Sequence, residues 1–216
     1  MLNLLTDPSP MNFMIVQSAV FIFFWMSLHI YVSYHGPIRG ASTMTKFNSF
    51  FYSAASLLLL ILILSPSHDI IARRIYHFSK FYEYIDILNV RASGGSIDLH
   101  FGFHHLTTPY LTFFRVLHHN EGWRVFAALN AFHHFLMYAY FGGIGIVRPV
   151  LPWTGTVQLV AGILVELWMI KRKPVINGSD VTSNWIAGGI LTAYLVLNTR
   201  DLIIRSREKE TKIKGT

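Results

Sequence analysis

Apolar positions in this chain run in long unbroken stretches instead of alternating with polar ones. Residues 13–34 hold one histidine, His29, and no acidic or basic side chain. Residues 47–65 carry no charge at all. About 20 apolar residues take a helix across the hydrocarbon core of a bilayer, so both stretches predict transmembrane helices. Five less pure stretches follow, at 75–90, 99–117, 125–146, 150–170 and 185–204. The first of these is short and amphipathic. The pattern predicts one all-α membrane domain over residues 1–216, a polytopic bundle of about seven transmembrane helices. Backbone in lipid must satisfy its own hydrogen bonds, which favours helices throughout.

Composition agrees. Hydrophobic residues make up 52% and charged residues only 13%, about half the charge of a soluble domain. There is no cysteine, which excludes disulfides, thiolate nucleophiles and cysteine metal sites. The Met1 end has no basic region before its apolar stretch, so the first helix reads as a retained span and not a cleaved signal. The net charge of +7 gathers in the tail "RDLIIRSREKETKIKGT", with 205–216 read as a basic cytosolic segment near anionic lipid. Lys212 and Lys214 stand at −5 and −3 from the end, which resembles the dilysine retrieval signal of endoplasmic-reticulum membrane proteins. With an odd number of spans, a cytosolic tail puts Met1 in the lumen. The loops oppose the positive-inside tendency, because Arg73, Arg74, Lys171, Arg172 and Lys173 then fall on the lumenal side. A glycosylation sequon, Asn177-Gly-Ser179, falls there too.

Ionisable groups inside a membrane cost ~2.5–3.5 kcal/mol each on insertion scales, so those that occur mark cavities or partners. Three segments incur that cost. In "HFSKFYEYIDIL", Ser79, Glu83 and Asp86 share a helix face, and Lys80 can pair with Glu83 at i,i+3. In "HFGFHH", His100 and His104 share a face, with His105 one position round. In "NAFHHFLMYAYF", Asn130, His134, Met137, Tyr138 and Phe141 form one stripe, readable also as interhelical hydrogen-bonded glue. Residues 99–134 hold seven of the eleven histidines. His118 and His119 end the fourth span and are expected near the water interface.

Together these segments resemble the ELO family of very-long-chain fatty acid elongases. Ser79-Lys80…Glu83…Asp86 matches the family's SKxxExxD segment, and His104-His105 the pair closing its HxxHH box. Asn130…His134…Met137-Tyr138 is similar to its NSxVHxxMYxYY segment. Thr154…Gln158 is similar to the start of TxxQ, and Phe47-Asn48 to a Tyr-Asn that opens the second helix. "RVLHH" at 115–119 is a rival box, but its histidines lie too near His134. His105 stands 29 residues before His134 and 19 after Asp86, close to the family spacing. The box departs from the family pattern: it reads HxxxHH, with Phe101 where the first histidine belongs, and His100 one place early. Ala161 replaces an expected glutamine.

The resemblance implies a 3-ketoacyl-CoA synthase of the endoplasmic reticulum. Such an enzyme condenses acyl-CoA with malonyl-CoA, releasing carbon dioxide and CoA. With no cysteine, a neutral imidazole is the candidate acyl carrier. Burial among Phe101, Phe103, Leu106 and Phe132 would favour the uncharged ring. The resemblance gives catalytic roles to His104 as nucleophile and His134 as its partner. His105 and Asn130 would orient rings or polarise the thioester, and His100 is the candidate catalytic substitute for the missing box histidine. Lys80, Glu83, Asp86, Tyr138 and Gln158 are expected at the substrate, the first three at a cytosolic mouth. No metal or cofactor is implied. The partners implied are acyl-CoA, malonyl-CoA and the membrane, not nucleic acid, with other elongation-cycle enzymes or a second copy as associates. Two rival classes stay open: a histidine-box di-iron desaturase or hydroxylase, and a non-catalytic protein that kept the fold.

Overall fold

A computed structural model describes residues 9–119, 121–177 and 180–214. The elements are α1 (Ser9–His35), α2 (Ala41–Leu64), α3 (Asp69–Tyr82), α4 (Tyr84–Ala92), α5 (Leu99–Thr112), α6 (Trp123–Gly142), α7 (Leu151–Asn177) and α8 (Thr182–Lys214). There is no strand among the described residues. The helices α3 and α4 are consecutive parts of the third predicted span, parted at Glu83, whose backbone stays near helical (φ −62°, ψ −15°). Counting that pair once gives seven spans, in the order the apolar stretches predict. Three helical stretches are long and apolar enough by themselves to cross a membrane: Met11–His35, Ala41–Leu64 and Gly145–Pro174. The protein is an all-α polytopic membrane protein. Gly178 and Ser179 of the sequon, and Gly215 and Thr216 of the tail, lie outside the described residues.

Successive spans alternate in direction. At one end, the Ile38 amide donates to the Ala92 carbonyl at 2.8 Å, Thr45 Oγ1 meets Ser93 Oγ at 3.1 Å, and His100 meets Asp201. This end leads into the C-terminal tail. At the other end, Arg124 donates to the Ile63 carbonyl at 2.9 Å and to Asp69 at 2.7 Å. Arg73 also holds Asp69 at 2.8 Å. Partial burial alone would raise the Asp69 pKa, but hydrogen bonds from Arg124 and Arg73 hold it below the usual carboxylate range.

The α2–α6 packing has a sequence cause. Ser49, Ser53 and Ser56 lie on one buried face of α2, and small residues let membrane helices approach closely. Ser53 uses that proximity to donate to the Phe135 carbonyl at 2.9 Å. At the start of α5, Asp98 caps the helix by accepting from the Phe101 amide at 2.7 Å. Four residues beyond His105, Pro109 has no N–H for the His105 carbonyl. That carbonyl takes the Thr108 hydroxyl at 3.4 Å instead. The span then loosens into a π-helical turn, Phe113–His118.

The π-helical turn is tied by a buried ion pair. Arg115 Nε donates to both Glu166 oxygens at 2.9 and 2.8 Å, and its Nη atoms reach the His119 and Glu121 carbonyls. Asn184 Nδ2 donates to Glu166 at 2.6 Å, while Lys173 Nζ donates to Asn184 Oδ1 at 3.1 Å and pairs with Glu121. Lys173 is therefore a buried residue of α7 and not the loop cation read from the sequence. Lys171 and Arg172 also lie within α7, and both are exposed.

Candidate active site

Three spans bring their polar residues to one place inside the bundle. From the third span come Lys80, at the end of α3, and Glu83, at the α3–α4 break. From α5 comes His104, and from α6 come Asn130 and His134. A Glu83 carboxylate oxygen and ring nitrogens of His104 and His134 lie within 4.8 Å of one another. Glu83 is fully buried, Lys80 is 2% exposed and His134 is 4% exposed.

Glu83 Oε1 organises the group. Lys80 Nζ donates to it at 2.6 Å, Tyr52 Oη at 2.8 Å, and His134 Nδ1 lies 3.2 Å away. Glu83 Oε2 is buried without a partner. Asn130 joins the same network: its Oδ1 accepts from Lys80 at 2.9 Å and from Tyr76 at 2.9 Å. Its Nδ2 donates to Gln158 Oε1 at 2.9 Å and lies 3.4 Å from His134 Nε2. Two carboxylate-to-ring and amide-to-ring contacts thus hold the imidazole of His134 at both nitrogens.

The expected mouth residues are deeper than the sequence reading put them. Lys80 and Glu83 stand among the histidines because their helix face turns inward onto α6. Asp86, 8% exposed, belongs to a neighbouring group: Tyr138 donates to it, and Asn48 Nδ2 donates to it at 3.0 Å. Tyr82 donates to Asn48 Oδ1 at 2.5 Å. The Tyr52 ring lies edge-on to Tyr138 at 4.6 Å and links the two groups.

The remaining histidines divide. His105 is buried, its ring 5.3 Å from that of His104, and its Nδ1 has no partner. His100 faces Asp201 of α8 instead of the Glu83 group, with Nδ1 to Oδ2 at 3.0 Å. His133 pairs with Thr154 at 2.8 Å. His118 packs on Phe113 at 4.5 Å, in the π-helical turn beyond α5. The sequence reading did not single out Tyr52 or Tyr76. Both are hydroxyl-bearing aromatic residues one helical turn from polar ones, Tyr52 from Asn48 and Ser56 and Tyr76 from Ser79 and Lys80, and that was the available signal.

The donor set Glu83, His104 and His134 has the residue types of a cation site. Lys80 already supplies a positive charge to the same carboxylate at 2.6 Å, so a second cation there meets direct repulsion.

The description of the family whose model matches this chain is ELO, the GNS1/SUR4 family, over residues 65–200. That is more than half of the chain. The chain belongs to the ELO family. No curated protein and no solved structure matches it. The matched region of this ELO protein contains Lys80, Glu83, His104, Asn130, His134 and Gln158, while Tyr52 lies before it. Membership makes the protein elongase-like in general function, and a membrane protein of fatty acid biosynthesis.

Proposed function

We propose that this ELO protein condenses an acyl-CoA with malonyl-CoA to give a 3-ketoacyl-CoA two carbons longer. The observation that carries the reading is the convergence of His104, His134 and Glu83 from three spans, with Lys80 and Asn130 joined to them. In the first step a His104 ring nitrogen attacks the thioester carbonyl. The carbon–sulfur bond breaks, and CoA thiolate leaves with the proton lost from the acylated ring. In the second step malonyl-CoA loses carbon dioxide, and the resulting enolate attacks the acyl carbonyl. The acyl–nitrogen bond breaks and the ring recovers a proton, so one proton is taken up overall.

His134 suits the proton-handling role. The Glu83 carboxylate favours the tautomer with hydrogen on Nδ1 and leaves Nε2 as the basic atom. Lys80 and the Asn130 amide lie where a developing oxyanion or enolate can be stabilised without reorganisation. His105 and Tyr138 shape the walls, and Gln158 orients Asn130.

The reaction as drawn uses no metal and no cofactor beyond its two CoA substrates. The desaturase reading has less support, since His100, His118 and His133 turn to other partners. The reading further places the protein in the endoplasmic-reticulum membrane with its tail cytosolic and Met1 lumenal, which protease access to a C-terminal tag in sealed microsomes tests. Other elongation-cycle enzymes or a second copy are the expected associates. The purified protein in liposomes, given acyl-CoA and malonyl-CoA, should release carbon dioxide and form the 3-ketoacyl-CoA. No product from a range of acyl lengths would favour the non-catalytic alternative.

A further inference from the structure

We propose that Tyr194 of α8 is a positioning residue for His104, holding its ring towards Glu83 and His134. This rests on the reading of His104 as acyl carrier. The Tyr194 side chain is fully buried. Its ring centroid lies 4.7 Å from that of His104, tilted by 59°. Among the described residues no other ring lies as near to His104: His105 is at 5.3 Å and His100 at 6.2 Å.

The hydroxyl fixes that wall in place. Tyr194 Oη lies 2.6 Å from Thr107 Oγ1 and 3.3 Å from the His104 carbonyl oxygen. Thr107 has one hydroxyl proton, and it goes to the Phe103 carbonyl at 2.7 Å. Thr107 is therefore the acceptor in the shorter contact, which takes the single Tyr194 hydroxyl proton, and the His104 carbonyl is a longer second acceptor of that same proton. The hydroxyl thus grips the backbone turn that carries His104, while the ring faces the imidazole. Leu111, Leu159, Ala187 and Leu191 pack around Tyr194 and stop it from turning away. Asp201, seven residues along α8 and on the same face, reaches His100. Two contacts therefore set α8 against the histidine face of α5.

The consequence is kinetic. A histidine that must attack a carbonyl has two side-chain torsions to restrain, and a misplacement of about 1 Å can cost about 10²-fold in rate. Removing the ring of Tyr194 should free the imidazole without touching the substrate.

The test uses purified full-length protein in liposomes with Tyr194→Leu, Tyr194→Phe and Thr107→Val. Three quantities are read: the single-turnover rate of His104 acylation by acyl-CoA alone, the kcat and KM of condensation, and the imidazole resonances of 13C-histidine-labelled protein. Tyr194→Leu should slow acylation by about 10²-fold, with KM for acyl-CoA within about twofold, and should broaden or double the His104 resonance. Tyr194→Phe and Thr107→Val should each slow it by about threefold to tenfold, and together should cost no more than either alone. Parental acylation and an unchanged His104 resonance in a folded Leu variant would overturn the proposal. So would a raised KM with unchanged kcat, which would make Tyr194 a wall of the substrate passage. If the Leu variant does not fold, parental rates in both milder variants overturn it. If the parent itself never acylates His104, the reading of His104 as acyl carrier fails, and the resonance alone then decides the positioning role.

Discussion

Glu83 Oε1 stands 3.2 Å from His134 Nδ1, with almost no exposure on either side chain. The two residues come from different spans and are 51 positions apart in the chain. A buried carboxylate at that nitrogen favours the tautomer with hydrogen on Nδ1, and the Asn130 Nδ2 donor 3.4 Å from Nε2 favours the same one. Glu83→Gln should keep the shape of the contact and remove its charge, leaving Lys80 without its counter-ion. Condensation should fall by about 10²-fold or more, the scale of a lost acid–base function. KM and kcat measured on liposome-reconstituted protein check this, and an unchanged kcat would remove His134 from the proton-handling role.

The Arg115–Glu166 pair should govern stability and leave the chemistry untouched. Both side chains are buried, and breaking such a pair leaves one charge uncompensated, at a cost of about 3–5 kcal/mol. Glu166→Ala should therefore lower the thermal midpoint in detergent sharply. Joint replacement, Arg115→Met with Glu166→Leu, should restore much of it. A Glu166→Ala protein with the parental midpoint would show that the pair carries no structural weight.

Asp69 makes a pH prediction at the end of the bundle away from the tail. Hydrogen bonds from Arg124 and Arg73 lower its pKa against the opposing effect of burial. A carboxylate whose folded pKa is depressed contributes stability above its unfolded pKa, about 4, and loses it as pH falls through the lower folded value. Asp69→Asn should thus melt earlier than the parent at pH 7, and the gap should close as the medium is taken below about pH 4. A gap that is constant with pH would mean that charge plays no part.

His100 should matter little to catalysis. Its ring faces Asp201, both about a quarter exposed, and partly exposed ion pairs contribute about 0–1 kcal/mol. His100→Ala and Asp201→Asn should each leave condensation near the parental rate and should not add when combined. A loss of about 10²-fold in His100→Ala alone would instead mean that His100 fills the missing place of the histidine box.

The spans were legible because lipid demands long apolar runs, and 13–34 and 47–65 advertise themselves. The candidate residues were legible because charge and imidazole inside such runs are costly. Lys80, Glu83, His104, Asn130 and His134 do meet. Their depth was not legible. From spacing alone, Lys80 and Glu83 fit an interfacial helix equally well, and only the packing of α3 and α4 against α2 and α6 shows which way that face turns. Tyr52 and Glu83 are 31 residues apart, and Tyr194 and Thr107 are 87 apart; no local pattern encodes such contacts. The Arg115–Glu166 pair could have been suspected, since Glu166 interrupts an apolar run at 150–170. Within "RVLHH" the Arg115 side chain is the anchor of that turn.

The central claim is that His104 carries the acyl group, and mapping the acylated enzyme tests it most directly. The purified protein is mixed with acyl-CoA alone, quenched, digested and examined by mass spectrometry. The account predicts an acyl adduct on His104, absent in His104→Ala and discharged to 3-ketoacyl-CoA when malonyl-CoA is added before the quench. It predicts also that His134→Ala abolishes condensation while the protein still reaches the membrane. An adduct on His118 or His119 with His104 unmodified would contradict the account and return the box to "RVLHH".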